Sequence, residues 1–487
     1  MMRMQVHGTT RGGPQINGGL ALERRLVEFV GLVLLITSPG CATHVSRVQE
    51  AHRAFFAGDL ERSITLLDLA AQEYEGGRDC ALLDRAMVQL VAGKTDEAEQ
   101  VLRGVRDRFN HLEQTSAAEH GLSWVTDDNA LAYAGEDYEK VLLHAFLALA
   151  DLMHNGGDAT AYCLQMAQQQ RSIMESGGAN DDENPKLAYQ QVAFGAYLCG
   201  VLHEASHLNY DDAERCYALA ASWEPDFRAV QYDFVRARSG VHSQQGNGVV
   251  IVFALVGRGP HKDTTVVEAS SNALAIAQAL LYANGNRELP PIVAPIEVPQ
   301  IIVPQNVLDS INVSVDGNVV GQTQTITDVG RMAVMQHDAV FDQVVARAVA
   351  RRAFKLATTV VAKEALHVAE EDTWASLALD LLGLLWESSE RADTRGWGLL
   401  PAKIQVQRIE LPAGEHQITL SASKQGYVVG PGFSRRVTVV NGRDTYVLAC
   451  FPDNQLVGQI LTSREDQVSR LTASATAFDV RQVSAEQ

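Results

Sequence analysis

The sequence predicts an α+β protein in which an N-terminal solenoid of α-helical repeats precedes a smaller mixed domain built around an antiparallel β unit. Two observations carry that expectation. Turn glycines and small helix-crossing residues recur across residues 42–239, the pattern of short antiparallel helix pairs that bury their apolar faces only by stacking. Beyond Ser239 the apolar period shortens, and glycines separate short β-branched runs.

Residues 1–41 read as a leader that ends in an export signal. Arg24 and Arg25 precede the apolar run "FVGLVLLI", Phe29 to Ile36, and "TSPGCAT" supplies small residues before Cys41. That run is short for a permanent membrane span. Cys41 directly after Gly40 resembles a bacterial lipobox, with Ser38 where that motif prefers Leu. The resemblance implies lipidation of Cys41, and Ala42 in place of Asp implies sorting to the outer membrane.

The repeats follow. In "FFAGDLERSITLLDLA", Gly58 supplies a tight turn, and Asp59, Leu60, Ser63, Leu67 and Ala70 fall on the packing positions of a second helix. One repeat later "LVAGKTDEAEQVL" places Gly93 in the turn, with Ala98 and Leu102 on the helix after it. Two antiparallel helices need a tight turn and a small residue where they cross, which explains glycine and alanine at these places. A third pair spans Leu142 to Ile173 with Gly156, Gly157 and Asp158 at its turn. The most complete unit is "YLCGVLHEASHLNYDDAERCYALAASWEPD", in which Tyr210, Ala213, Tyr217, Ala220 and Pro225 match the register of a tetratricopeptide second helix and its stop. Upstream, "AYAGEDYEK" brings Gly135, Glu136, Asp137, Glu139 and Lys140 to a helix start, where acidic residues suit the helix dipole. A sharper reading makes Glu136 and Asp137 an interaction patch.

The mixed domain is expected over residues 246–460. "GNGVVIVFALVG" reads as a buried strand bounded by glycines. The Pro-rich segment 289–305 must be extended, because proline lacks the donor a helix needs. "SINVSVDGNVVG" reads as a hairpin turning at Asp316 and Gly317. A long amphipathic helix follows from Phe341, with Arg347, Arg351, Arg352 and Lys355 on its polar side, and "WASLALDLLGLLWESSE" reads as a docked core helix. "IQVQRIELPAGEHQITLSAS" and "RRVTVVNGRDTYVLACF" alternate around Gly414 and Gly442 as the antiparallel unit, and residues 463–487 form a polar tail.

Composition narrows function. The net charge of −19 and pI near 5.2 exclude broad electrostatic binding to nucleic acid, whose phosphates most of this surface would repel. Six cysteines are scattered without C-x-x-C pairs, so no structural zinc framework is read; Cys199 and Cys216 fall on adjacent helices, where a disulfide is compatible with the pattern.

One motif demands a chemical test. His203, Glu204 and His207 stand in H-E-x-x-H spacing, which on a helix would aim two imidazoles at one zinc with Glu204 as general base. No further histidine follows at the spacing of a third ligand, and Glu214 and Glu224 already belong to the repeat. On the repeat reading Glu204 points inward and both histidines sit on a neighbouring face without a metal. No G-x-S-x-G elbow, Walker loop or dinucleotide fingerprint occurs in a supporting context, so no cofactor is expected. "GRGPHKD" reads as a polar loop at a strand end. "ERADTRGWGLLPAKI" gathers Asp393, Arg395 and Trp397, either as a recognition pocket or as a pin that fixes the loop.

Taken together, Cys41 after its signal, "YAGEDYEKVLLHAFLAL", "LCGVLHEASHLNYDDAERCYALA", "VVIVFALVGRGPHKD", "ARAVARRAFK", "ADTRGWGLLPAKI" and "LPAGEHQITL" resemble a family of uncharacterised bacterial tetratricopeptide lipoproteins. Where that family has an ordinary "LYEAQGD" helix-turn, this chain has "LHEASHL". The resemblance implies a non-enzymatic cell-envelope protein and brings no ligand with it. With the lipobox-like Cys41, stacked repeats that offer a concave surface predict a lipid-anchored scaffold of the outer membrane, facing the periplasm, for an envelope protein or peptide partner. The alternative reading is a zinc metallopeptidase using His203, Glu204 and His207, and a third is a polymer-binding or secretion accessory that contacts its ligand through the "ADTRGW" region.

Overall fold

The computed structural model describes residues 44–118, 132–154, 156–176, 191–283, 295–365 and 392–463, together with Asn184, Lys186 and Tyr189. Cys41 and its leader, residues 289–294 of the Pro-rich segment, the "WASLALDLLGLLWESSE" helix and the tail beyond Ser463 lie outside them. The described chain is α+β, with paired helices first and sheets after.

The helices are α1 (His44–Phe56), α2 (Leu60–Glu73), α3 (Arg78–Val91), α4 (Thr95–Ala118), α5 (Asp137–His154), α6 (Ala159–Glu175), α7 (Ala193–Ala205), α8 (Tyr210–Trp223) and α9 (Ala229–Arg238). Gly58 and Gly93 turn the first two pairs at φ +82° and +83°, a left-handed backbone that glycine adopts without steric cost. Asp59 caps α2 by accepting from Arg62 N at 3.2 Å. Ser63, Leu67, Ala98, Ala213, Tyr217 and Ala220 are buried, at the packing positions their spacing predicts. The α7–α8 turn differs. There His207 takes the left-handed place at φ +58°.

The sheets follow as β1 (Asn247–Arg258), β2 (His261–Val267), α10 (Ser271–Ala283), β3 (Ile296–Ile302), β4 (Ser310–Val315), β5 (Asn318–Gln322), β6 (Gln324–Asp328), α11 (Val329–Ala365), β7 (Pro401–Pro412), β8 (Gly414–Lys424), β9 (Tyr427–Val439), β10 (Asp444–Phe451) and β11 (Val457–Thr462). A five-stranded sheet has the order β11-β10-β1-β7-β6, and a four-stranded sheet the order β5-β4-β8-β9. β1 pairs parallel with β10, Val249 opposite Asp444, and antiparallel with β7, Val250 opposite Ile409.

Its burial explains the unbroken apolar run. Val249, Ile251, Phe253 and Leu255 join the core of the helical layer, whereas Val250, Val252, Ala254 and Val256 join the core against the four-stranded sheet. A strand covered on both faces has no polar side to present. Phe194 of α7 meets Phe253 edge-to-face at 5.6 Å, so the helices and the central sheet share one interior. A third, smaller core joins α10, α11 and the β2–β3 ribbon.

Several expectations are modified. The strands around Gly414 and Gly442 do not form one unit: β7 and β10 lie in the five-stranded sheet, β8 and β9 in the four-stranded one, so the chain changes sheets at both glycines. Asp316 and Gly317 do turn the β4–β5 hairpin, both with positive φ. Part of the Pro-rich segment is β3, paired with β2. α11 begins twelve residues before Phe341, and Arg351, expected on a polar face, is buried where Arg347 is exposed. Among the described residues, no helix is long and apolar enough to cross a membrane.

Candidate functional site

The loop before β7, residues 392–400, is bound to the helical layer by charge and backbone donors. Asp393 accepts from Arg395 Nε at 2.9 Å and Nη2 at 2.8 Å, a bidentate pair, and Arg395 Nη1 reaches Gly76 O at 2.7 Å. Two residues on, Trp397 N donates to Glu139 Oε1 at 2.7 Å; two further, Leu399 N donates to Asp84 Oδ1 at 2.8 Å. The loop thus offers alternate backbone N–H groups to carboxylates on α5 and α3. His52 of α1 completes the row, its Nε2 2.5 Å from Asp84 Oδ2. Gly398 passes so near that a Cβ there would lie 2.4 Å from His52 Cε1.

Charges around this loop are mutually compensated. Lys262, at the start of β2, pairs with Glu136 and is buried; the cost of burial is outweighed by Glu136, Asp393 and Glu139, which raise its ammonium above the usual lysine range. Burial, followed by the Glu136 charge, raises the Glu139 carboxyl, against Lys262 and the bonds from Trp397 N and Tyr133. Burial would raise Asp393 too, but its bond to Arg395 and the Lys262 charge bring it below its ordinary value.

Beside the loop opens a cavity of about 250 Å³, lined among others by His52, Phe56, Tyr138, Arg258, His261 and Trp397. Its walls come from α1, α5, the β1–β2 turn and the 392–400 loop. Arg258 stacks over the Phe56 ring at 4.1 Å and pairs with Asp453 at 2.6 Å. Trp397 is 1% exposed and packs against Phe146 at 5.2 Å, and its Nε1 has no hydrogen-bond acceptor among the described residues. Buried donors of this kind are uncommon in folded proteins. Burial also lowers the His261 imidazole, favouring its neutral form, which can both donate and accept.

The residues singled out in the sequence therefore divide. Glu136, Asp393, Arg395 and Trp397 converge on one place, although the first is separated from the others by more than 250 positions. Asp137 turns elsewhere, to Lys186 at 2.9 Å. Sequence reasoning missed His52 and Asp84. A signal existed for Asp84, which sits on α3 between Leu83 and Met87 and has no exposure at all; an aspartate inside an apolar helix face implies a specific partner.

The H-E-x-x-H spacing does not build its one-helix site. α7 ends at Ala205, so His207 is off the helix; its Nε2 contacts Gly442 O at 2.6 Å, Tyr210 Oη lies 3.3 Å from its Nδ1, and its ring packs on His242 at 4.7 Å. Glu204 is enclosed, accepting from Arg236 Nε at 2.6 Å and Nη2 at 2.8 Å and from Tyr217 Oη at 2.6 Å. A guanidinium and a phenol occupy the oxygens that a general base would need. Searches against protein-family models, curated proteins and solved structures return no match to this chain.

Proposed function

We propose that the protein is a cell-envelope scaffold or adaptor that holds a protein or peptide partner, lipid-anchored through Cys41 in the outer membrane and facing the periplasm. Its helix pairs are read as tetratricopeptide-like units, supported by the left-handed turn glycines and the buried alanines at the helix crossings. In an open solenoid such pairs would offer their inner face to a ligand. Here the helices share their core with the central sheet, and the contact point of the scaffold is assigned to the cavity beside Trp397.

A single observation carries this reading. A loop fixed by four carboxylate or guanidinium groups sets Trp397, whose buried indole N–H has no acceptor among the described residues, into the wall of a cavity lined also by Phe56, Tyr138, Arg258 and His261. Such a surface suits an acceptor-bearing chain, a peptide carbonyl or carboxylate set against aromatic rings.

The test is site-specific photocrosslinking in cells. p-Benzoylphenylalanine in place of His261 should give one discrete adduct, absent when the same probe replaces Val319 on exposed β5 and reduced by Arg258→Ala. Adducts of equal yield at both positions would remove the cavity from the proposal. Replacement of Cys41 by Ser should release the protein from the membrane fraction; unchanged fractionation without an acyl group would remove the anchor.

A further inference from the structure

A second constellation lies between α7 and α8. Cys199 and His203 are four residues apart and share one face of α7; Cys216 comes from the antiparallel α8. Their ligand atoms, two sulfurs and an imidazole nitrogen, all lie within 4.8 Å of one another. We infer that Cys199, His203 and Cys216 form a binding site for one zinc ion, with a fourth position open to water or to a carboxylate.

The chemistry of the donors supports this. Two thiolates and a neutral imidazole are a soft set that suits zinc over magnesium or calcium. Their charge of −2 neutralises a divalent cation at a place where Cys199 is buried and the other two are half-buried. Tetrahedral coordination at about 2.3 Å would bring two sulfurs to about 3.8 Å, a side-chain rotation from the present spacing. The thiols of Cys199 and Cys216 are close enough to perturb one another's ionisation. Asp212, in the first turn of α8, is paired with Arg215 and acts electrostatically on all three ligands, so its charge favours a cation at this place. The site shares His203 with the H-E-x-x-H motif, yet its helical neighbour is Cys199 four residues before, not His207 four after.

Binding exchanges protons for metal: Zn²⁺ displaces the two thiol protons and forms two Zn–S bonds, with no change of oxidation state. The full chain, purified under reductant and freed of metal, should take up one equivalent of Co²⁺ with a thiolate-to-cobalt charge-transfer band and tetrahedral d–d absorption. Zn²⁺ should displace it. Cys216→Ser and His203→Ala should each abolish the band while their circular dichroism stays native, and His207→Ala should retain it. The inference is overturned by reduced protein that shows no charge-transfer band, by a band that survives Cys216→Ser, or by one that His207→Ala removes. Protein isolated with a Cys199–Cys216 disulfide whose reduced form still binds no cobalt would instead assign the pair a covalent structural role.

Discussion

Glu139 and Glu204 are both shut inside the helical layer, and only one of them is gripped by a guanidinium. Glu204 takes two bonds from Arg236 and one from Tyr217, with Arg408 at 3.7 Å. Glu139 takes Trp397 N, Glu136 N and the Tyr133 hydroxyl, and feels Lys262 from a distance. One charge is answered by a charge and the other mainly by dipoles. The first arrangement locks three neighbouring helices together. The second fastens a loop from far along the chain, and its strength depends on whether a proton is present.

The largest expected effect separates the two. Arg236→Met leaves Glu204 and Asp233 buried without the guanidinium bonded to both, with Arg408 3.7 Å from Glu204 as the remaining cation, and should cost about 3–5 kcal/mol in denaturant unfolding. Glu139→Gln keeps an acceptor for Trp397 N and should cost less, about 1–3 kcal/mol. Equal losses would break the distinction.

Gly398→Ala probes the same loop by shape, since its Cβ would meet the His52 ring. Unfolding should show a loss of about 1–3 kcal/mol, the range for overpacking, and the His52 imidazole resonances should move.

The pH response sharpens the comparison further. Because Glu139 has a raised carboxyl pKa in the fold, the folded state holds its proton where the unfolded chain has released it. Stability from this group is therefore greatest in acid and falls as pH rises from about 4.5 through the folded value. Asp151, raised to about 7 chiefly by burial, contributes with the same sign between 3.8 and about 7. His144 acts oppositely, since burial lowers it to about 4 and its stabilisation is lost as pH falls from 6.5 to about 4. Urea midpoints of wild type minus Glu139→Gln isolate the glutamate: the difference should shrink towards neutral pH, and a constant difference would show that the proton is irrelevant.

The smallest effect belongs to the motif that first drew notice. His207→Gly relieves a left-handed backbone worth about 1–2 kcal/mol and loses the contacts to Gly442 O and His242. These oppose each other, so melting should shift little; a large loss would mean the histidine holds the turn to the sheet.

The sequence was readable where its signals are local. Gly58 and Gly93 announced their turns, Asp316 and Gly317 their hairpin, and the run from Val249 to Val256 a buried strand, because each depends on residues next to it. Asp393, Arg395 and Trp397 stood out by composition, but their attachment to Glu139 and Asp84 joins positions more than 250 apart, and no periodicity encodes such a pairing. Alternation along β7 and β9 told which residues face inward without telling which sheet receives them. For β10 the better signal was its continuity: all eight residues are buried, as a parallel neighbour of β1 must be. His207 misled because H-E-x-x-H presumes an unbroken helix, and here the turn comes first.

The central strand also sets a timetable. β1 is complete by Arg258, yet both strands that flank it belong to the last part of the chain, β7 from Pro401 and β10 from Asp444. During synthesis its apolar run from Val249 to Val256 waits for more than 140 residues without either partner. Contacts so distant along the chain delay closure, and they slow folding in proportion to the loop that must be brought together. The helices can pair as they emerge, whereas their common floor is laid only when nearly everything else has been made.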